Sequence, residues 1–87
     1  MDSRVAVISI IVEKEEAVER LNALLHNYAQ YIIGRMGLPY RAKRVSIICV
    51  AVDAPNDVIS ALSGKLGSLS GVSVKTAYSG LTGSVEK

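Results

Sequence analysis

Two stretches of this chain, Val5–Val12 and Val45–Val52, are apolar at almost every position. Both are rich in Val and Ile, of which the 87 residues contain 11 and 8, and these β-branched residues favour strands. A strand that is apolar on both faces lies in the interior of a sheet and is covered on both sides. A chain of this length forms one core and not two. We therefore expect both stretches to be central strands of a single sheet.

The segment after the first strand predicts an amphipathic helix from residue 14 to residue 28 or 29. Apolar residues recur at helical spacing along one side, and His26 lies on the polar side with Glu19, Asn22 and Gln30. The acidic run Glu13–Glu16 suits the positive end of a helix dipole. The apolar positions of this helix are Ala17, Val18, Leu21, Leu24, Leu25 and Tyr28.

A second helix follows the second apolar strand. It opens in a segment where we interpret Asp53 and Asp57 as capping residues and Pro55 as an early helical Pro. We expect Gly71 to cap its C-terminus. Its predicted apolar face consists of Val58, Leu62, Leu66 and Leu69.

Two further strands complete the pattern. Tyr31–Leu38 alternates weakly and is ended by Pro39, whereas Val72–Tyr78 alternates cleanly between apolar and polar residues. Both patterns are typical of edge strands. The basic segment Tyr40–Arg44 joins the first of them to Val45–Val52 and predicts the turn of an antiparallel hairpin.

The resulting order is βαββαβ, which is an α+β fold of the ferredoxin-like type. The usual sheet order of that fold, 4-1-3-2, places the first and third strands in the middle, in agreement with their apolar faces. Both helices then pack on one face of the sheet. We expect a single domain over residues 1–78 and a flexible C-terminal tail over residues 79–87, which has two Gly and no periodic pattern.

The other face of this sheet would carry several Val and Ile side chains that two helices on one side cannot cover. So large an apolar patch is uncommon on a monomer. We expect a second copy to cover it, which gives a homodimer or a higher homo-oligomer. The alternatives are coverage by a different protein and coverage by the tail folding back.

Charge, cysteine content and hydropathy limit the classes of function. The formal net charge is only +2, which argues against a dedicated electrostatic nucleic-acid binder. Cys49 is the single cysteine and lies in an apolar run, so we interpret it as a small buried apolar side chain in a cytoplasmic protein. No stretch approaches the ~20 apolar residues that cross a bilayer. The apolar N-terminal run meets Glu13–Glu16 without a small-residue cleavage site, so we expect no targeting signal and no membrane partner.

Groups that carry chemistry are sparse. No Ser-His-Asp set, paired carboxylates or cluster of metal ligands can be assembled, so we predict that the chain is not an enzyme and has no metal site. The sequence identifies no cofactor. We interpret His26 as a solvated side chain, and metal binding or pH sensing is the alternative.

Two short motifs bear a superficial likeness to nucleotide sites. Gly64–Gly67 contains Gly-Lys but lacks the following Ser or Thr of a phosphate loop and falls inside a helix. We interpret its small residues as permitting close packing of the second helix, and a subunit contact or small anion site using Ser63 and Lys65 is the alternative. Ile32–Gly37 resembles the GxxG loop of KH domains, but Pro39 and a strand follow where a helix is required.

Four of the ten basic residues fall between residues 35 and 44. A solvated hairpin is the simpler interpretation, and a nucleic-acid-binding module that uses this basic hairpin is the alternative function. We do not expect direct DNA binding, because the chain has no room for a helix-turn-helix beside this domain. The residues of the basic hairpin are Arg35, Arg41, Lys43 and Arg44.

Three segments carry a family resemblance: ALSGKLGSLSGVSVKT at residues 61–76, LLHN at 24–27 and RMGLP at 35–39. They resemble the family of iron-only hydrogenase system regulators, and the match extends over roughly residues 4–77. Proteins of that family look like stand-alone ACT-like domains, similar to the effector-binding half of the nickel-responsive repressor. The resemblance implies an oligomeric regulatory or sensor module associated with iron-only hydrogenase genes. It brings no established catalytic or ligand residues.

The chain departs from ligand-binding relatives of this fold in two ways. Amino-acid-binding ACT domains usually have Gly in the loop where this chain has Glu13–Glu16, and a nickel site of the repressor type needs several His. We therefore predict a regulatory, ligand-sensing homo-oligomer whose small-molecule effector is unidentified and binds at a subunit interface. The candidate ligand-binding or subunit-contact residues are His26, Asn27, Ser63, Gly64 and Lys65.

Overall fold

The computed structural model of the chain describes residues 2–82, with side chains as far as Gly80. The element order is βαββαβ, as predicted, and two short 3-10 turns that the sequence does not predict are also present. The elements are β1 (Arg4–Val12), α1 (Ala17–Asn27), a 3-10 turn (Ala29–Tyr31), β2 (Ile32–Tyr40), a second 3-10 turn (Arg41–Lys43), β3 (Val45–Ala54), α2 (Asn56–Gly67) and β4 (Val72–Thr82).

The four strands form one antiparallel sheet in the order β2-β3-β1-β4. This is the predicted order 4-1-3-2 written from the opposite edge, so the ferredoxin-like, ACT-like fold is confirmed. The register places Val7 opposite Ala51 on one side and opposite Ala77 on the other. Since paired residues point to the same face of a sheet, this register fixes which side chains meet the helices.

The core lies between the sheet and the two helices. Alternate residues of β1 and β3 point into it, and one apolar stripe of each helix closes it. Each fully buried Val, Leu or Ile side chain contributes about 1.5–3 kcal/mol relative to its exposed state. The buried core residues are Ala6, Ile8, Ile10, Val12, Ala17, Leu21, Leu25, Ile48, Val50, Val52, Ala54, Ile59, Leu62 and Leu66.

Helix α1 begins later than the acidic run predicts. The backbone N–H of Glu13 donates to the Gly71 carbonyl at 2.7 Å, so the chain is still tied to the end of the sheet at that point. A turn follows, in which the Ala17 N–H donates to the Lys14 carbonyl at 3.0 Å. The predicted start at Lys14 is therefore wrong, because a tertiary hydrogen bond outweighs the local preference of the glutamates.

Strand β2 continues through Pro39, where the sequence predicts its end. Pro39 lies opposite Ser46 on an edge strand, where its missing N–H removes no bond from the interior of the sheet. The basic turn that follows is present, and Arg44 adopts a left-handed conformation with φ 56° before β3.

The predicted caps of α2 are wrong at both ends. Asp53 lies within β3, and Pro55, which has no side-chain acceptor, occupies the N-cap. Asp57 lies in the first turn, where its charge favours the helix dipole without capping it. At the other end Ser68 occupies the C-cap, and Gly71 serves the turn into β4 with a φ of 80°. The burial of Ile59 adds a residue that the predicted apolar face lacks.

Strand β4 extends to Thr82, so the predicted strand end at Tyr78 is wrong and residues 79–82 belong to the sheet. Arg4 supports this extension, because its guanidinium donates to the Ser79 carbonyl at 3.1 Å and lies 4.8 Å from the centre of the Tyr78 ring. The remainder of the predicted flexible tail, residues 83–87, lies outside the described residues.

Candidate functional site

The sheet face opposite the helices, which we call the open face, is a continuous apolar surface. The register brings side chains of β1, β2 and β3 together on it. Met36 and Leu38 are 62% and 57% exposed, and Val5 and Ile11 are each 44% exposed. These are large exposures for aliphatic side chains of central and edge strands. The apolar residues of the open face are Val5, Val7, Ile11, Met36, Leu38, Tyr40, Val45, Ile47, Cys49, Ala51 and Ala77.

Charge on the open face is confined to its margins. Among the described residues of the sheet, the register places two charged side chains there, Lys75 on the edge strand β4 and Asp53 near the end of β3. The prediction of an apolar face that the helices leave uncovered is therefore confirmed for the single chain. Cys49 lies on this face opposite Ser9 and Met36, and it is partly exposed where the sequence predicts burial.

The side of the sheet that carries the helices has a cleft of about 340 Å³ between α1 and β2. Arg35 reaches it because it lies opposite Val50, a core residue, and so points to the helix side. Its guanidinium donates to the Asn22 Oδ1 atom at 3.0 Å. The cleft is lined by Asn22, Leu25, His26, Ala29, Ile32 and Arg35.

The five candidate residues from the sequence divide among different places. His26 lines the cleft, and Asn27 is exposed at the end of α1. The Lys65 Nζ atom donates to the Tyr28 hydroxyl at 3.0 Å, which links the two helices. Ser63 turns towards the sheet, and its hydroxyl lies 2.8 Å from that of Thr76.

Contrary to the prediction, no element in the described part of the chain packs closely against Gly64. A Cβ atom placed on Gly64 or on Gly67 meets nothing within 4 Å. The stretch Gly64–Gly67 lies within α2, so the rejection of a phosphate loop is consistent with the helix. Among the described residues, no neighbouring element packs against these two glycines.

The basic hairpin separates into two parts. Arg35 belongs to β2 and the cleft, whereas Arg41 and Lys43 lie on the 3-10 turn. The GxxG-like stretch is part of β2 and forms no loop between helices, so the likeness to a KH domain is not supported. Lys43 and Arg44 are exposed, as a solvated turn requires.

A larger groove of about 600 Å³ lies beside this turn, at the end of the sheet. The loop between β1 and α1 forms its other wall, so acidic and basic side chains line the same groove. The charged residues of the groove are Glu13, Lys14, Glu15, Glu16, Arg41 and Arg44. A surface of mixed sign is a poor match for a polyanion.

Within residues 2–82, no three His, Cys, Asp or Glu side chains come together as a group that could hold a metal ion. No helix in the described part of the chain is long and apolar enough to span a membrane.

The family resemblance that the motifs at residues 24–27, 35–39 and 61–76 indicate can be tested against models of known protein families. Residues 4–76 match the model of the TM1266-like family, whose description is "Iron-only hydrogenase system regulator, putative". The chain belongs to the TM1266-like family. The predicted resemblance is thereby confirmed, and the family's description supports a regulatory role in coarse terms.

Two solved structures show how far the likeness extends. The uncharacterized protein TM1266 from Thermotoga maritima is 43% identical, with a TM-score of 0.84 over 87% of this chain and 96% of that one. A formyltetrahydrofolate deformylase from Pseudomonas putida KT2440 is 11% identical, with a TM-score of 0.61 over 84% of this chain and 28% of its own. This second likeness shows the fold alone. None of the curated proteins is a significant match to the chain.

Proposed function

We propose that this chain is a regulatory, non-catalytic module of an iron-only hydrogenase system and that it acts in the cytoplasm as a homo-oligomer built on the open face. The family description supports the regulatory role. The observation that carries the oligomer is the open face itself, where seven large apolar residues of β1, β2 and β3 are at least 36% exposed: Val5, Val7, Ile11, Met36, Leu38, Tyr40 and Ile47.

A second copy of the chain is the occupant that fits this face. Four strands about 4.8 Å apart and roughly 30 Å long give a flat area on the order of 600 Å². Side-chain relief raises the accessible area above that value, towards the ~800 Å² per partner of a standard interface. A two-fold axis through the face would pair one apolar surface with its copy and leave Lys75 and Asp53 near the rim.

The association of two open faces would provide the step that an effector regulates. An effector shifts an equilibrium between two states only as far as its affinities for them differ. A site whose shape depends on how two sheets are stacked would bind the effector with different affinities in the two states. A site within a rigid single chain would bind it with the same affinity in both. We therefore place the regulatory step in the stacking of the two open faces.

The nucleic-acid-binding alternative is weaker on electrostatic grounds. Arg41 and Arg44 share their groove with the carboxylates of Glu13, Glu15 and Glu16. Phosphate binding by such a surface has to overcome repulsion from three carboxylates. Retention of RNA or DNA by the purified chain at low salt would favour the alternative.

A complementation experiment in the host tests the proposed function. The gene is deleted and replaced by wild type, by Ile47→Lys on the open face, or by Ala61→Lys, which adds the same charge at an exposed position of α2. Loss of the chain should change the hydrogenase transcript level, and Ile47→Lys should fail to restore it while Ala61→Lys succeeds. An unchanged transcript and hydrogenase activity in the deletion strain would contradict the regulatory role.

A further inference from the structure

We propose that the cleft between α1 and β2 is a binding site for a small carboxylate with a short apolar body. The cleft combines a guanidinium, an imidazole and an amide with an apolar wall in a volume of about 340 Å³. That volume lies in the range of pockets that hold small ligands. None of the described residues that line it is acidic.

Arg35 is the group that would bind the carboxylate. A guanidinium has five N–H donors in a planar fork that matches the two oxygens of a carboxylate. One Nη2 donor is committed to Asn22 at 3.0 Å, and this bond holds the fork beside α1. Among the described residues, no carboxylate forms an ion pair with Arg35, so its charge is not neutralised within that part of the chain.

His26 and Asn22 complete the polar side of the cleft. They are four residues apart on α1, so they lie one turn apart on the same helix face. Asn22 accepts from Arg35 with its Oδ1 atom, which leaves the Nδ2 atom as a donor. An imidazole has at least one N–H donor, so each of the three side chains that line the cleft has a donor to offer an anion.

The remaining wall selects an organic anion over an inorganic one. The apolar residues that line the cleft are Leu25, Ala29 and Ile32. Leu25 is buried, so Ala29 and Ile32 present the accessible apolar surface. An apolar group of a few carbons would bury this surface, whereas phosphate would leave it exposed to solvent. The geometry therefore points to a carboxylate such as a short branched acid.

This site is independent of the proposed oligomer. Arg35 points to the helix side of the sheet, and the open face lies on the opposite side. Binding in the cleft can therefore fail while the oligomer forms, and the reverse also holds.

An NMR titration of the full ¹⁵N-labelled chain tests the site with isobutyrate as the probe. Isobutyramide, which has the same shape without the charge, and inorganic phosphate are the comparison probes. Isobutyrate should shift the amide resonances of Asn22, His26 and Ala29 in a saturable way, and isobutyramide should not. A response to phosphate alone, or equal responses to isobutyrate and isobutyramide, would overturn the proposal.

Variants of Arg35 and Arg41 distinguish binding in the cleft from a general effect of positive surface charge. Arg35→Gln removes the fork and should weaken isobutyrate binding by about tenfold or more. Arg41→Gln removes the same charge from the exposed turn outside the cleft and should bind as the wild type does. Arg35→Lys, which retains the charge but not the fork, should bind with intermediate affinity. Undiminished binding by a folded Arg35→Gln or Arg35→Lys variant would contradict the assignment.

Discussion

The side chain of Lys14 lies directly over Gly71. A Cβ atom at Gly71 would stand 2.6 Å from the Lys14 Cγ atom, and Gly71 itself has a φ of 80°. The Lys14 Nζ atom continues past it and donates to the Ser70 hydroxyl at 3.1 Å. The loop after β1 and the turn before β4 are thus held together at one end of the sheet.

Replacement of Gly71 by Ala should therefore destabilise the fold. A left-handed backbone costs an L-residue about 1–2 kcal/mol, and displacement of Lys14 adds to that cost. Urea denaturation should show a free energy of unfolding lower by about 2 kcal/mol with an unchanged m-value. If Gly71→Ala is as stable as the wild type, Gly71 does not have the left-handed conformation and the close contact with Lys14 that the structure shows.

Gly64 provides the matched control within α2. A Cβ at Gly64 meets nothing within 4 Å, and Ala is favoured over Gly in a helix interior by about 1 kcal/mol. Gly64→Ala should accordingly raise the unfolding free energy in the same urea titration. Destabilisation by Gly64→Ala would show that another element packs against this position.

The hydroxyl pair Ser63–Thr76 should couple α2 to β4. The two oxygens are 2.8 Å apart in a partly buried position. Ser63→Ala or Thr76→Val leaves the other hydroxyl without this partner and should cost about 1 kcal/mol. A double-mutant cycle by chemical denaturation should give a coupling energy of about 0.5–1.5 kcal/mol. Strict additivity of the two substitutions would mean that the hydroxyls do not interact.

Much of the fold could be predicted from the sequence because β1 and β3 are apolar on both faces. That pattern places them in the centre of the sheet, and the topology follows. The element boundaries could not be predicted where tertiary contacts decide them. The hydrogen bond from Glu13 to the Gly71 carbonyl delays α1, and the edge position of β2 accommodates Pro39.

The cleft could not be predicted, because Arg35 on β2 has to meet Asn22 and His26 on α1, and the face that Arg35 occupies depends on a β-bulge. The pairing of β2 with β3 shifts between Ile32 and Gly34, so Ile32 and Arg35 share a face although they are three residues apart. Strict alternation would place them on opposite faces. A Gly inside a strand is the one signal in the sequence that indicates such a bulge.

Cys49 offers a chemical probe of the open face. It lies on that face between Ser9 and Met36 and is partly exposed in the single chain. Burial by a second copy should slow alkylation of its thiol, so the rate should fall as protein concentration rises. In Ile47→Lys the rate should stay at the single-chain value at every concentration. A rate in the wild type that does not depend on concentration would argue against burial of this face.

The central claim is that a second copy of the chain covers the open face, and the molar mass in solution tests it most directly. Size-exclusion chromatography with light scattering at micromolar concentration should give at least twice the 9.3 kDa of one chain for the wild type and for Ala61→Lys. Ile47→Lys should give the mass of one chain with an unchanged circular dichroism spectrum. A wild-type mass of 9.3 kDa across that concentration range would contradict the account.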